Sequence, residues 1–235
     1  MIKIKSFFII SLFLFPFILN AQVIKSLNEN LKFDESGNAE LNVIVKSDKS
    51  YFKEILIPFN FKGDIKEIKS DNGLIAKNIT IQGINYLYVT KKDSGSFKEC
   101  NVQLKIEKYF DFSKEQIEDY GNYLIKYRFI NTRFAKIDKY SVKIILPKKF
   151  NITSVDESIP KATEDSPKSP FVLGKEKDNY FVELLGDNVK LGENLFIKFR
   201  FKENNRSLLL GLLLGAVAIG YLIIFRDLRK PKAEK

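Results

Sequence analysis

The chain is predicted to be all-β: two tandem, related β-sandwich domains with an N-terminal signal peptide and one C-terminal transmembrane helix. Three observations lead there. Short runs rich in Ile, Val, Tyr and Phe, bounded by Gly, Asn, Asp or Lys, succeed one another through residues 22–204. Two longer apolar runs mark the ends of the chain. The second half of the body also repeats the strand and turn pattern of the first.

The ends fix the expected topology. Residues 1–21 carry Lys3 and Lys5, an apolar run from Phe7 to Leu19, and Ala21 at a cleavage point. Basic, apolar and small-residue regions in that order describe a signal peptide. At the other end, Ser207 to Phe225 contains no charge. As a helix this stretch is about 28 Å long, close to the hydrocarbon thickness of a bilayer. Residues 207–225 are therefore expected to span a membrane. Residues 226–235 hold Arg226, Arg229, Lys230, Lys232 and Lys235, a basic tail that the positive-inside rule places in the cytoplasm. The expected topology is single-pass type I, with the body exported: extracytoplasmic in a bacterium, lumenal in a eukaryote.

Within the body, the expected domains are 22–112 and 113–204. "LKFDESGNAELNVIVK" is two alternating runs around a turn-rich tetrad, Glu35 to Asn38. "EILIPFNF", "LIAKNITIQ", "NYLYVTK" and "VQLKIEKYF" continue as strands. "SKEQIEDYG" is predicted to be helical, with Ser113 as N-cap and Glu115 and Glu118 in the first turn. "NYLIKYRFIN" and "YSVKIILPKKFNITSV" open the second half. A polar loop, "DESIPKATEDSPKSP", follows before the last strands. The repeat pairs the strand ending at Pro58 with the one ending at Pro147. It also pairs "NYLYV" with "NYFVE", and the two closing Phe-rich strands with each other.

Composition narrows the chemistry. There are no histidines, which removes Ser-His and Cys-His mechanisms and His-ligated metals. The single cysteine, Cys100, sits where strand alternation predicts a small core residue, and it forbids an intramolecular disulfide. The net charge of +10 is reduced to about +5 on the body once the leader and tail are set aside. That residue of charge is mixed over both signs, so a nucleic-acid partner is not expected. Ser50 with Lys53 and Ser158 with Lys161 match Ser-x-x-Lys, but without a helix or companion motifs. Asp34, Ser36 and Asn38 resemble the start of a calcium loop but lack its Gly and Glu positions, and read as a hairpin turn. No catalytic, cofactor or metal residues are assigned, and the chain is expected not to be an enzyme.

Two kinds of site remain. Asn78 and Asn151 head Asn-Ile-Thr glycosylation sequons, and Asn205 heads a third beside the span. Gly211, Gly215, Ala216 and Gly220 recur at i, i+4 in the span, a spacing that lets two helices approach closely. Small residues are also frequent in membrane helices generally.

Residues 121–152, "GNYLIKYRFINTRFAKIDKYSVKIILPKKFNI", resemble the membrane-proximal lumenal segment of the ribophorin I family, non-catalytic subunits of the eukaryotic oligosaccharyltransferase. The similar elements are Tyr123-Leu124 before Arg128-Phe129, the strand Val142 to Pro147, and a closing strand, Leu195 to Phe201, ahead of one span. The chain is shorter than that family and lacks its long cytosolic region. The resemblance implies paired β-domains and a structural role, and supplies no catalytic residues. Two functions are therefore expected of the exported sandwiches. One is an interaction subunit of a membrane complex, with a membrane-protein partner or self-association through the helix. The other is a membrane-anchored module that binds a glycan or peptide.

Overall fold

A computed structural model describes residues 22–47, 51–59, 63–71, 73–112, 116–117, 121–161, 169–204 and 206–228. The signal peptide expected at 1–21, Ser50, Asn205 and the residues beyond Leu228 lie outside them. Among the described residues, fourteen strands and one helix are formed. Residues through Lys202 form one unit and those from Glu203 a second.

Seven strands come from the first half: β1 (Val23–Phe33), β2 (Ala39–Lys46), β3 (Glu54–Pro58), β4 (Asp64–Ser70), β5 (Leu74–Ile81), β6 (Ile84–Lys91) and β7 (Glu99–Glu107). Seven come from the second: β8 (Gln116–Ile117), β9 (Asn122–Ile130), β10 (Lys136–Ile145), β11 (Phe150–Ile159), β12 (Phe171–Glu176), β13 (Asn179–Lys190) and β14 (Asn194–Glu203). Each core strand alternates as a two-residue period requires. In β7, for example, Cys100, Val102, Leu104 and Ile106 are buried while Gln103 and Lys105 are exposed.

The strand order repeats. In the first half, β1-β2-β7-β4 are neighbours and β3-β6-β5 form a three-stranded sheet. In the second, β8-β9-β14-β11 are neighbours, as are β10-β13-β12. Adding seven to each strand number converts one arrangement into the other. The boundary expected at 112/113 falls between β7 and β8, yet the sheet structure crosses it. β1 pairs in parallel with β10, from Val23 opposite Lys136 to Lys32 opposite Ile145. This joins the β1 sheet and the β10 sheet into one of seven strands, β12-β13-β10-β1-β2-β7-β4.

The segment after β7 is fixed to both halves. Phe110 N donates to Gly37 O (3.0 Å) and Lys108 N to Asn38 Oδ1 (3.2 Å). The Phe110 ring meets Phe33 and Phe201, and Phe112 stacks on Phe150 at 4.8 Å. Burying the Phe110 ring contributes about 2–3 kcal/mol, and the partly buried Phe112 ring contributes less. A covalent connection between repeats thus becomes part of the core.

Two local expectations are corrected. The helix predicted in "SKEQIEDYG" is not seen at Gln116–Ile117, which instead form β8, opposite Tyr123 and Asn122 of β9. Pairing with β9 outweighs a weak local helix propensity; Ser113, Glu115 and Glu118 lie outside the described residues. The polar stretch from Asp156 to Ile159, expected as loop, extends β11. There Asp156 is held by Arg200 at 2.9 Å.

The last element is α1, Arg206–Leu228, 23 residues long. Its side chains are described from Leu210 to Ile223 and at Phe225, and among the described residues no helix is long and apolar enough to cross a membrane. In the sequence the uncharged run is longer, because Ser207, Leu208, Leu209 and Ile224 belong to it.

Candidate functional site

Three places in the chain depart from an ordinary solvated surface over an apolar core. The first is buried. Alternation along β1 sends Ile24, Leu27, Leu31 and Phe33 into the core, and it sends Glu29 there too, at 3% exposure. Glu29 lies opposite Val43 of β2 and Val142 of β10. Its Oε2 accepts a short hydrogen bond from the Tyr127 hydroxyl of β9, and Tyr127 shares a second, at 3.0 Å, with Tyr140 of β10. Its Oε1 is enclosed without a hydrogen-bond partner. Burial drives its pKa up to about 7, although the two tyrosine contacts pull the other way. Burial and the nearby carboxylate hold both phenols well above the ordinary tyrosine value. An acid with that pKa is suited to proton transfer, but at this depth no substrate reaches it.

A buried polar side chain need not be left short. Asn131, fully buried, donates from Nδ2 to Phe134 O (2.9 Å) and Val189 O (3.2 Å), and accepts from Phe134 N (2.9 Å). It closes the loop between β9 and β10. Glu29, by contrast, keeps one oxygen unsatisfied at the seam between the two repeats.

The second place is the outward face of the seven-stranded sheet. Side chains that point away from the core form cross-strand rows. One row holds Lys143 (β10), Asn30 (β1), Asn42 (β2), Gln103 (β7) and Lys69 (β4), each opposite the next. The adjacent row holds Ile145, Lys32, Glu40, Lys105 and Glu67. All of these but Lys143 line a groove of about 360 Å³, together with Glu176, Lys177 and Asn179. Its charges are largely paired with each other. Glu67 contacts Lys69 (2.9 Å) and Lys105 (3.1 Å), which lower its pKa, and Glu176 contacts Lys143 (2.5 Å), which does the same.

The third place is α1. Leu210, Leu212, Leu213, Leu214, Val217, Ile219 and Leu222 are all exposed, so the helix is apolar around its circumference. Gly211, Gly215 and Gly220 are open, with nothing within 4 Å of a Cβ placed at any of them, and Ala216 is exposed.

The remaining sequence candidates fall as follows. Asn78 is exposed on β5, the outer strand of the β3-β6-β5 sheet. Asn151 is half-buried in β11 with its Oδ1 enclosed. Cys100 is fully buried and burial pushes its thiol up to about 12, so it is not poised as a nucleophile. Asp34 spends its carboxylate on the turn, accepting from Ser36 N (2.8 Å) and Asn38 N (2.9 Å). Ser158 bonds the Pro160 carbonyl (3.2 Å). Among the described residues no three acids or cysteines gather as metal ligands do.

Sequence reasoning missed Glu29 and the amide row. The signal for Glu29 was present: Leu27-x-Glu29-x-Leu31-x-Phe33 puts an acid on the apolar phase of a strand. The amide row depends on which strands become neighbours, and that is not written in any one segment.

No family model matches the chain, and no curated protein matches it. Solved structures resemble it distantly. The M1 zinc metallopeptidase of Deinococcus radiodurans matches at 8% identity and a TM-score of 0.38, over 77% of this chain and 42% of that one. Native yeast LTA4 hydrolase matches at 10% and 0.38, over 76% and 28%. The folded domain of Mycobacterium tuberculosis LppM matches at 9% and 0.38, over 82% and 96%. The chain thus spans less than half of the metallopeptidase and less than half of the LTA4 hydrolase. At these scores none of them says what this chain does.

Proposed function

We propose that this chain is a non-enzymatic, membrane-anchored interaction protein. Its exported β body docks a partner while α1 holds it in the bilayer. The observation that carries this reading is the open face of the seven-stranded sheet, a broad grooved surface built jointly by both repeats. Non-catalytic action is supported by the absence of histidine and the burial of Cys100. It is also supported by the enclosure of Glu29, among the described residues the one carboxyl group whose pKa is raised into the neutral range. Anchoring is supported by the uncharged run from Ser207 to Phe225, its apolar circumference and the basic residues after it. A cleaved leader at 1–21 would deliver the body outward and leave the tail in the cytoplasm. The ribophorin-like segment agrees with a subunit role.

The test is crosslinking in the membrane, then recovery of the full chain in mild detergent and mass spectrometry of what accompanies it. A stoichiometric membrane-protein partner is the expected result. Recovery of the chain alone would overturn the subunit reading. A second reading, self-association through α1, is favoured by the open Gly211, Gly215 and Gly220 positions. Recovery of crosslinked copies of this chain alone would select it.

A further inference from the structure

We propose that the groove across the seven-stranded sheet binds an uncharged oligosaccharide. This rests on reading that sheet face as the working surface of the body, and it names the ligand class.

The floor of the groove is a line of amides. Asn30, Asn42 and Gln103 are direct cross-strand neighbours on β1, β2 and β7. With Lys143 and Lys69 at its ends, the row crosses five strands, about 19 Å at the usual strand spacing. None of the three amides bonds another described side chain, and Asn42 Oδ1 is enclosed with no donor.

The ligand class follows from what the floor offers and withholds. β1 and β2 lie inside the sheet, so their backbone groups are taken by neighbours on both sides. An extended peptide would bind by adding to a free edge, whereas the amides sit on β1, β2 and β7, inside the edge strands β12 and β4. Only side chains are available: Asn30 and Gln103 each set a donor beside an acceptor, and Asn42 offers its amide nitrogen. Adjacent hydroxyls on a sugar ring offer the complementary pair. Four lysines and three glutamates line the groove, and Glu67 and Glu176 tie up Lys69, Lys105 and Lys143, so the excess left to select an ionic ligand is about one positive charge. A volume of about 360 Å³ suits a short oligosaccharide.

The experiment uses the full chain in lipid nanodiscs. It is exposed to immobilised neutral oligosaccharides of glucose, mannose and N-acetylhexosamines, to uronic-acid oligosaccharides, and to extended peptides. Neutral oligosaccharides should bind, and Asn42→Ala or Gln103→Ala should each weaken binding about tenfold while far-UV circular dichroism and melting stay unchanged. Neutral binding that survives both substitutions would overturn the site. Binding only to acidic sugars or only to peptides would overturn the ligand class. No binding by a folded chain would overturn the proposal outright. If crosslinking still captured a protein partner in that case, the interaction reading would stand without it.

Discussion

At the scale of single residues, Glu29 and Gly37 have the strongest consequences. Glu29 binds its proton more tightly when folded, because burial raises its pKa from the usual 4.5 to about 7. Below the unfolded value both states are protonated, and the stabilising contribution is complete. As pH rises toward 7 the unfolded chain ionises first, and the folded state loses roughly 3 kcal/mol. Melting temperature should therefore fall between pH 5 and pH 8, and Glu29→Gln should flatten the curve. Parallel curves for both proteins would mean that Glu29 is not enclosed. Gly37 has φ +84°, and a Cβ there would stand 1.9 Å from the Phe110 carbonyl oxygen. Gly73 has the same φ but nothing within 4 Å. Gly37→Ala should cost at least about 2 kcal/mol in denaturant unfolding, and clearly more than Gly73→Ala. The turn at Asp34 to Asn38 was legible as a turn. What made its glycine indispensable, a linker carbonyl more than seventy positions away, was not.

At the scale of elements, the strands were largely legible because their alternation is regular and their boundaries are marked by turn residues. β2, β6 and β7 fall where the apolar phase put them, while β1 starts at Val23, eight residues before the run read from Leu31. The failures lie where local preference was weak. β8 is two residues held by β9 against a helical composition, and β11 continues through three polar residues, Asp156 to Ser158, beside its neighbour β14. The prediction at this scale concerns α1. If its glycine positions are a contact surface, Gly211→Leu or Gly215→Leu should weaken association in membranes, read as loss of crosslinked product or of co-purifying partner. A leucine at Val217, already a large exposed position, should leave it unchanged. Equal behaviour of all three variants would remove the helix face from the account.

At the scale of the whole molecule, the repeat visible in "NYLYV" and "NYFVE" corresponds to β6 and β13, which hold equivalent places in the two strand orders. The parallel β1–β10 seam left no such trace, because pairing between distant strands depends on register and packing rather than on either segment alone. The seam makes the second repeat incomplete without the first. Residues 113–204 produced alone would leave the inner edge of β10 unpaired. They should fail to give a stable monomer by size exclusion and circular dichroism, whereas residues 22–204 should unfold in one transition. A well-folded, monomeric 113–204 would show that the seam is dispensable. The seam also sets an order of events during synthesis. β1 is the first strand to be made, but its parallel partner arrives only on the order of a hundred residues later. Until then it is a strand with one side occupied by β2 and the other available to any extended chain nearby. A nascent chain built this way gains from anything that shields β1 until translation has passed Ile145, and a pause before that point is when it is most prone to pair with the wrong molecule.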